Sequence, residues 1–497
     1  NYGRLDDPEK PEYNYVKEAD YISGAAILIK HTIWQELGGF DERYVPAYFE
    51  DTDLAFEVRR LGYKVLLQPK SVIVHFEGVS HGTDTNNGIK SYQVTNKEKF
   101  MDKWKEELFR DQFPNAEHIF WAKDRSRNRK TIVVVDHYVP HYDKDAGGRA
   151  THFYLKLFVS MGFHVIFIGD NFFKHEPYTS NLQELGIEVL YGDYYAKNIN
   201  KWIKNNGAYI DYVYLNRPHI SIKYMETFKK FTSAKIIYFG HDLHFLREMR
   251  NYELTGNTNL IKSSEEWKKT EFSLFNDADV IHVVGSYEQS LLQNEFPNKP
   301  VRNIPLFPYE HSYNYAKKIE GFDARKDLLF VGGFNHTPNY DGIVWFLDEI
   351  FDSIKRHIPN VKLYIVGSNP PDDLKARSAE DVIVTGFVSD EELERYYNQS
   401  RLVIVPLRYG AGVKGKVVEA MYYQVPVITT SIGSEGLEES ETVMTIANDA
   451  QQFAHSVIQL YKDETMWTAS SQASAQYIEK YFTREAASNI LALDFKD

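Results

Sequence analysis

The chain has 497 residues, 43% hydrophobic and 26% charged, with a net charge of -13. These values suit a globular protein of about three domains and argue against a duplex nucleic-acid binder, which would present a basic surface. The absence of cysteine excludes disulfides, thiolate chemistry and cysteine-ligated metals. No apolar run approaches the ~20 residues that span a bilayer, and the N-terminus does not resemble a signal peptide.

The first segment, residues 1–126, is predicted to be α/β. The run "YISGAAILIK" predicts a buried strand, "HTIWQELGGF" a short helix that ends at its glycines, and "YKVLLQPKSVIVHF" further strands. A polar stretch, "SYQVTNKEKFMDKWKEELFRDQF", favours helix. The charged run "AKDRSRNRK" has no apolar periodicity and is predicted to be a linker. Because the chain does not begin with Met, we expect a fragment of a longer protein.

Two further α/β domains are predicted from alternating strands and helices. Strand-like runs such as "TIVVVDHYV", "HVIFIGD" and "YVYLNRP" fill residues 127–310, and "LLFVGGF", "KLYIVGS" and "LVIVPL" fill 311–480. Such alternation is typical of doubly wound, mostly parallel sheets. The connector is expected near Pro305–Lys317. Residues 481–497 are expected to form a helix that returns to the first of these two domains, and ligands are expected in the cleft between them.

The glycine-rich stretch "LRYGAGVKGKVVEAM" follows a strand and begins a helix, which predicts a phosphate site. It nearly matches the P-loop, but Val417 stands where a Mg²⁺-binding hydroxyl is required. Gly410, Gly412 and Gly415 match the dinucleotide fingerprint, but that motif belongs in the first strand–helix unit of a domain. The remaining interpretations are a sugar-nucleotide site and a glycine-rich turn with solvated lysines.

Glu419 on that helix, followed by "QVPVITTSIGSEGL", resembles the donor-binding segment of the family-4 glycosyltransferases, which are retaining enzymes of the GT-B fold. The resemblance covers roughly residues 130–497. It implies two facing Rossmann-like domains, a nucleotide diphosphate at the helix N-terminus, and Glu419 on the ribose hydroxyls.

The resemblance has departures in the donor site. The first Glu of the family's paired motif falls on Ala411, and the loop "GGFNHTPN" lacks the Arg and Lys that often bind the diphosphate. We expect the positive charge to come from Arg408, Lys414 and Lys416 instead. Solvent exposure of the two lysines is the structural alternative. Substituting Lys414 or Arg408 by Ala is expected to weaken binding of a nucleotide diphosphate more than binding of the nucleoside.

Further site residues follow from the same resemblance. His241 is predicted to line the sugar site, and with Glu419 it is assigned to catalysis, although a purely structural histidine is the alternative. The cleft-lining strand end that carries Ser286 also resembles the family. The predicted donor-binding residues, besides those already named, are Gly147, Gly148, Gly333, Phe334, Asn335, Ser434 and Glu435.

Residues 15–110 resemble the C-terminal half of a family-2 glycosyltransferase, an inverting GT-A fold. In "FEDTDL" the resemblance makes Asp51 the general base, and helix capping by Asp51 or Asp53 is the structural alternative. His75 is a candidate metal contact. The family's nucleotide-binding half does not precede this segment, so we expect transfer activity in residues 127–497.

The sequence therefore predicts a glycosyltransferase that extends a cell-surface polysaccharide or glycan, using a nucleotide-diphosphate sugar and a glycan or lipid-linked acceptor. No cofactor is expected for the GT-B module, whereas a complete family-2 module would use Mg²⁺ or Mn²⁺. A cytoplasmic, membrane-peripheral location is expected, with no nucleic-acid partner. The alternatives are a GT-B-fold sugar-nucleotide epimerase and a non-catalytic glycan-binding or scaffold module.

Overall fold

The computed structural model describes residues 3, 5–74, 88–114, 117–310 and 320–495. Contact density divides the chain into two compact units. The first consists of Asn1–Val133, Gly162–Tyr212 and Phe231–Ala234, and the second of Val134–Met161, Val213–Lys230 and Lys235–Asp497. Every residue predicted for the GT-B donor site belongs to the second unit. The four-part domain division made from the sequence remains a prediction.

The N-terminal part of the first unit is mostly helical. Its strands are β1 (Lys17–Glu18) and β2 (Leu66–Leu67), which pair antiparallel. Its helices are α1 (His31–Leu37), α2 (Glu50–Arg60), α3 (Tyr92–Lys103), α4 (Lys105–Asp111) and α5 (Ile119–Ala122). The helices predicted in "HTIWQELGGF" and in the polar stretch are confirmed. Gly38 ends α1 in the left-handed conformation that glycine adopts without strain.

The strands predicted from "YISGAAILIK" and from most of "YKVLLQPKSVIVHF" are wrong. No strand is assigned to residues 21–30, and Leu28, Val72 and Val74 are almost wholly exposed. A strand needs a neighbour to satisfy its backbone groups. In the described residues β1 and β2 pair only with each other, so these apolar runs have no sheet to join.

The charged run predicted to be a linker is packed into the first unit. Asp124 and Ser126 are fully buried. The carboxylate of Asp124 accepts a hydrogen bond from the Tyr15 hydroxyl at 2.9 Å and lies 2.7 Å from Nε2 of His164. Arg125 pairs with Asp20. Periodicity could not reveal this, because the partners are up to about a hundred residues away in the sequence.

The predicted alternation after residue 127 is confirmed. Strands β3 (Thr131–Asp136), β4 (His164–Gly169), β5 (Glu188–Leu190), β6 (Tyr212–Asn216), β7 (Lys235–Phe239), β8 (Val280–Val283) and β9 (Val301–Asn303) form a seven-stranded sheet of order β5-β4-β3-β6-β7-β8-β9. The helices are α6 (Ala146–Ser160), α7 (Tyr178–Glu184), α8 (Asp193–Asn206), α9 (Pro218–Phe231), α10 (His244–Thr255), α11 (Asn259–Asp277) and α12 (Ser286–Glu295). The short β9 was missed because "VRN" has no apolar run.

The second sheet has six parallel strands in the order β12-β11-β10-β13-β14-β15. They are β10 (Lys326–Val331), β11 (Leu363–Val366), β12 (Val382–Gly386), β13 (Ser400–Val405), β14 (Val427–Thr429) and β15 (Thr445–Ile446). The helices are α13 (Thr337–Trp345), α14 (Phe351–His357), α15 (Asp372–Lys375), α16 (Asp390–Gln399), α17 (Gly415–Tyr422), α18 (Ala450–Lys462), α19 (Glu464–Tyr481) and α20 (Arg484–Leu491). A buried apolar cluster joins this sheet to α13, α14 and α18. The fold is thus α/β with two Rossmann-like domains.

The C-terminal end of the chain contacts strands of the first sheet. Asp494, just after α20, is buried, and its carboxylate lies 3.1 Å from Nε2 of His282 on β8 and 3.1 Å from Nε of Arg302 on β9. The backbone N–H of Tyr309 donates to Phe482 at 2.8 Å. The residues after α19 thus contact β8 and β9, and the return of residues 481–497 to the first of the two domains stays a prediction.

Candidate functional site

The strand order of the second sheet reverses between β10 and β13, which lie side by side at its centre. In open parallel sheets, the loops after two such strands border a ligand crevice. Here these loops are residues 332–336 and 406–414, and the second leads into α17. Lys414 is the last residue before the helix, so the first backbone N–H groups of α17 point toward this crevice.

Two lysines surround the start of α17. Lys414 is buried, and its Nζ donates to the backbone oxygens of Ala411, at 2.9 Å, and Gly412. Lys416 is half-buried, donates to Oδ1 of Asn339, and lies 4.5 Å from the ring centre of Phe330. Neither lysine forms an ion pair with a carboxylate among the described residues. The structure thus gathers positive charge at a helix N-terminus, as anion binding requires.

The ammonium groups of both lysines are destabilised in this structure. Burial lowers the pKa of Lys414 to about 8, although Glu435 and Glu288 oppose the shift. Burial, followed by the positive charge of Lys414, lowers the pKa of Lys416 to about 7. An anionic ligand at this place would favour the charged form of both lysines and would be bound together with a proton.

This coupling predicts pH-dependent binding of a nucleotide diphosphate. As the pH rises from 6.5 to 8.5 the lysines of the empty site lose their protons, and binding must then restore them. We expect the affinity for UDP or its equivalent to fall about tenfold over this range. Calorimetry in two buffers of different ionisation enthalpy measures both the affinity and the protons taken up. A flat profile without proton uptake would contradict the assignment.

Glu419 lies one turn into α17 and is nearly buried. One of its carboxylate oxygens pairs with Nη1 of Arg149 and the other accepts a hydrogen bond from the Tyr397 hydroxyl at 3.2 Å. Arg149, on α6, also donates to Asp390 at 2.8 Å and to the backbone oxygen of Tyr142 at 2.8 Å. Arg149 was missed by the sequence analysis, although it directly follows the glycine pair that was singled out.

Gly147 and Gly148 lie in the first turn of α6 and allow other protein groups to approach the backbone closely. A methyl group at Gly147 would lie 2.6 Å from Nη2 of Arg217, and one at Gly148 would lie 3.1 Å from the backbone oxygen of His141. The N–H of Gly148 donates to Asp145 at 2.8 Å. The groups that lie close to the two glycines are thus parts of the protein itself. Contact between this turn and a donor phosphate stays a prediction.

His241 follows β7 and is the most unusual residue of this region. Its φ of 69° lies in the left-handed region, which costs free energy for a residue with a side chain. Both ring nitrogens are buried and without a hydrogen-bond partner, while the ring packs on Phe239 with 4.2 Å between centres. Burial, followed by the charge of Arg217, lowers its pKa to about 3. The imidazole is therefore neutral at pH 7 and able to donate one hydrogen bond and accept another.

Other predicted donor-binding residues are engaged with protein groups. Arg408 forms a two-point pair with Asp341, so its charge is already compensated. Both carboxylate oxygens of Glu435 pair with Arg250, at 2.7 and 2.8 Å. The Ser434 hydroxyl donates to a backbone oxygen within its own turn. The structure brings Glu435 close to Lys414, whereas Arg408 points to α13.

The loop after β10 contains both buried and exposed residues. Phe334 is part of the buried apolar cluster, and its N–H donates to the backbone oxygen of Ser368 at 2.9 Å. Gly333 accepts a hydrogen bond from Asn339 at 2.7 Å, and Asn335 is exposed. The next residue, His336, had not been predicted as a site residue. His336 is exposed, yet loss of part of its solvent, followed by the charges of Lys416 and Arg247, lowers its pKa to about 4.

Of the two N-terminal candidates, Asp51 belongs to the first compact unit. Asp51 lies in the first turn of α2, and its carboxylate accepts hydrogen bonds from the N–H groups of Gly24 and Thr52, at 2.7 Å each. Capping is not its role, because α2 begins at Glu50. His75 lies outside the described residues. In the described part of the chain no group of acidic and histidine side chains is arranged to hold a metal.

Comparison with known proteins agrees with this geometry. Residues 325–463, which contain the second sheet and α17, match the family model of the glycosyl transferases group 1. This segment is similar to a group 1 glycosyl transferase domain. It contains the loops after β10 and β13, both lysines and Glu419. The resemblance of residues 15–110 to family-2 enzymes remains a prediction.

Solved structures show the GT-B fold. Sucrose-phosphate synthase from Thermosynechococcus elongatus superimposes with a TM-score of 0.55 at 16% identity, covering 74% of this chain and 98% of that one. The pneumococcal O-GlcNAc transferase GtfA, in complex with UDP and GlcNAc, also gives 0.55, at 11% identity, covering 74% and 99%. At these identities the likeness concerns the fold alone.

Curated relatives match shorter stretches. An uncharacterised 44.6 kDa protein in the cps region of Klebsiella pneumoniae is 34% identical over 165 residues. The N-acetylglucosaminyl-diphospho-decaprenol L-rhamnosyltransferase of Mycobacterium tuberculosis is 31% identical over 81 residues. These matches cover 31% and 16% of this chain and 42% and 24% of the two relatives. The chain thus matches less than half the length of either relative.

Proposed function

We propose that this chain transfers a sugar from a nucleotide-diphosphate donor to a growing glycan, with retention of the anomeric configuration. The observation that carries the proposal is the start of α17, where two lysines with lowered pKa values meet the N-terminus of a helix that bears Glu419 one turn later. The cations and backbone N–H groups suit a diphosphate, and a carboxylate at Glu419 suits the ribose hydroxyls.

In this reaction these residues stabilise the leaving group, the nucleotide diphosphate. When the bond between the anomeric carbon and the phosphate oxygen breaks, negative charge develops on the diphosphate beside Lys414, Lys416 and the helix end. The new glycosidic bond forms on the same face, and the proton of the acceptor hydroxyl passes to the departing phosphate oxygen. No general base is needed. Neutral His241, with two unpartnered ring nitrogens, is suited to hydrogen bonding with the transferred sugar.

The proposal also includes the acceptor substrate and the cellular location. A protein from a cps region and an enzyme acting on a diphospho-decaprenol are both similar to parts of this chain, which favours a cell-surface polysaccharide and a lipid-linked or glycan acceptor. Such an acceptor agrees with a cytoplasmic protein at the membrane surface. Among the described residues, no helix combines the length and apolar composition needed to cross a bilayer.

A ligand screen tests the proposal directly. We expect one of UDP, GDP, dTDP and ADP to raise the thermal midpoint of the purified chain by several degrees at saturating concentration, and the matching nucleotide sugar to release nucleotide slowly. Lys375→Ala, which alters an exposed lysine on α15, is the control that keeps both responses. Stabilisation without nucleotide release from any sugar would favour the binding or scaffold alternative. No response to any nucleotide would overturn the proposal.

A further inference from the structure

One side of the loop before α17 is bounded by acidic residues that follow strands β7 and β8 of the first sheet. Gly412 has a φ of 70°, in the left-handed region, and carries no side chain. A methyl group built there would lie 3.4 Å from Oε1 of Glu288 and 3.4 Å from Cβ of Asp242. The loop from Gly410 to Lys414 contains no carboxylate. The carboxyl groups beside it therefore come from α12 and from the turn after β7.

Glu288 differs from its acidic neighbours in how its charge is compensated. Asp242 pairs with Arg247, and Glu435 pairs with Arg250. Glu288 is 1% exposed, and one oxygen accepts a hydrogen bond from the N–H of Leu243 at 3.3 Å. Within the described residues no lysine, arginine or histidine lies within ion-pair distance of Glu288. Its carboxyl group is therefore the least compensated of the three.

This environment keeps Glu288 protonated at neutral pH. Burial, followed by the negative charge of Asp242, raises its pKa to about 8, although Lys414 opposes the shift. The titratable groups that face it are Asp242 after β7, Lys414 before α17 and Glu435 after β14. A buried carboxyl group that stays neutral has an O–H to donate, which an ionised carboxylate lacks.

The position of Gly412 relative to α17 indicates what this O–H would meet. If the diphosphate lies at the helix N-terminus and the ribose at Glu419, the transferred sugar lies on the opposite side of the diphosphate, toward the preceding loop. The backbone oxygen of His241 is 3.6 Å from the same built methyl group at Gly412. The backbone of His241 thus borders this loop, and its two ring nitrogens are buried without a hydrogen-bond partner.

We propose that Glu288 is a specificity-determining residue for the transferred sugar, with its carboxyl group donating a hydrogen bond to a ring hydroxyl of an uncharged hexose beside Gly412. The inference rests on the proposed function. In this arrangement Glu288, on α12, provides the polar side chain beside the sugar, because neither Ala411 nor Gly412 has one. Because the contact is to the sugar alone, it distinguishes nucleotide sugars from one another and from the free nucleotide.

The test compares two variants of nearly equal side-chain volume. Glu288→Gln keeps a neutral hydrogen-bond donor, whereas Glu288→Leu removes it. Calorimetry measures the affinity for UDP and for UDP-glucose, UDP-galactose and UDP-N-acetylglucosamine, or for GDP and GDP-mannose if the wild type binds GDP. The quantity of interest is the affinity for the nucleotide sugar divided by that for the nucleotide. Glu271→Gln, at a buried carboxylate that accepts from the N–H groups at the start of α10, is the matched control.

For the preferred sugar we expect Glu288→Leu to lower this ratio about tenfold, and Glu288→Gln to change it less than about threefold. The wild-type ratio should fall more steeply between pH 7 and 9 than the ratio of Glu288→Gln, because only the wild type has a carboxyl group at this position that ionises. Both proteins keep Lys414 and Lys416, so the titration of the lysines is present in both ratios.

Two outcomes would overturn the inference while leaving the proposed function intact. One is an unchanged ratio in Glu288→Leu. The other is an equal loss of affinity for nucleotide and nucleotide sugar, which would mean that Glu288 only supports the loop. If Glu288→Leu fails to fold, the pH dependence of the ratio in wild type and Glu288→Gln decides between the same outcomes. A wild type that binds no nucleotide contradicts the proposed function itself.

Discussion

Replacing Lys416 by Ala is expected to weaken binding of the nucleotide diphosphate about 30-fold and to leave binding of the nucleoside unchanged. One charge-assisted hydrogen bond to phosphate is worth roughly 2 kcal/mol, and Lys416 has no carboxylate partner among the described residues that would compete for its charge. The same substitution should flatten the pH dependence of binding, because the group with the lowest lysine pKa in the site is gone. Calorimetry with UDP and uridine, or the equivalent pair, measures both effects.

A second variant separates charge from packing. Lys416→Met keeps an unbranched chain over the Phe330 ring and should lose diphosphate affinity as Ala does. Its thermal midpoint should stay at or above that of the wild type, because the buried site disfavours the ammonium group. Equal losses for nucleoside and diphosphate would show that Lys416 acts through the fold. An unchanged diphosphate affinity in both variants would remove Lys416 from the site.

Replacing Asp136 by Ala is expected to produce the largest loss of stability near the site. Asp136 is 1% exposed and accepts hydrogen bonds from Nε of Arg217 at 2.7 Å, from the Thr151 hydroxyl at 2.7 Å and from the N–H of His137 at 2.7 Å. Arg217 holds the pKa of Asp136 well below its usual range, despite the burial that would raise it. Removing the carboxylate leaves the guanidinium without its anion, which costs about 3 kcal/mol.

Asp341→Asn is the matched control for this prediction. It breaks an aspartate–arginine pair of the same type, but its partner Arg408 is 38% exposed, so we expect a loss below about 1 kcal/mol. Urea unfolding and hydrogen exchange of residues 131–136 measure the two effects. If Asp136→Ala costs no more than Asp341→Asn, the buried pair is not a major source of stability in this part of the fold.

The parts predicted correctly from the sequence have local signals. Strands such as β3, β4 and β13 are continuous apolar runs buried on both faces of a parallel sheet, and their type follows from the residues themselves. The start of α17 was located because glycines, lysines and a following apolar helix stand next to one another in the chain. The run in residues 21–30 was equally apolar, yet it forms no strand, since strand formation also needs a partner that a local pattern does not show.

The partners of each charge were beyond prediction for the same reason. Arg408 and Lys416 both stand in the glycine-rich stretch, but α13 supplies Asp341 to the first and only an amide oxygen to the second. Arg149, 270 residues before Glu419, had no signal for its contact with that carboxylate. Glu288 has the sequence appearance of a solvated residue in the first turn of a helix. Glu288 is buried because residues distant in the sequence, such as Leu243 and Gly412, lie against it in the fold.

The sequence by itself determined the α/β class, the two Rossmann-like sheets and the glycine-rich start of α17 where a phosphate site is proposed, because each depends on residues that are neighbours in the chain. Only the tertiary structure decided which cations remain without a carboxylate partner, that His241 is neutral and unpartnered, and that an acidic side chain from α12 faces Gly412. Those properties depend on desolvation and on charges brought together from distant parts of the chain. They therefore exist only once the chain has folded.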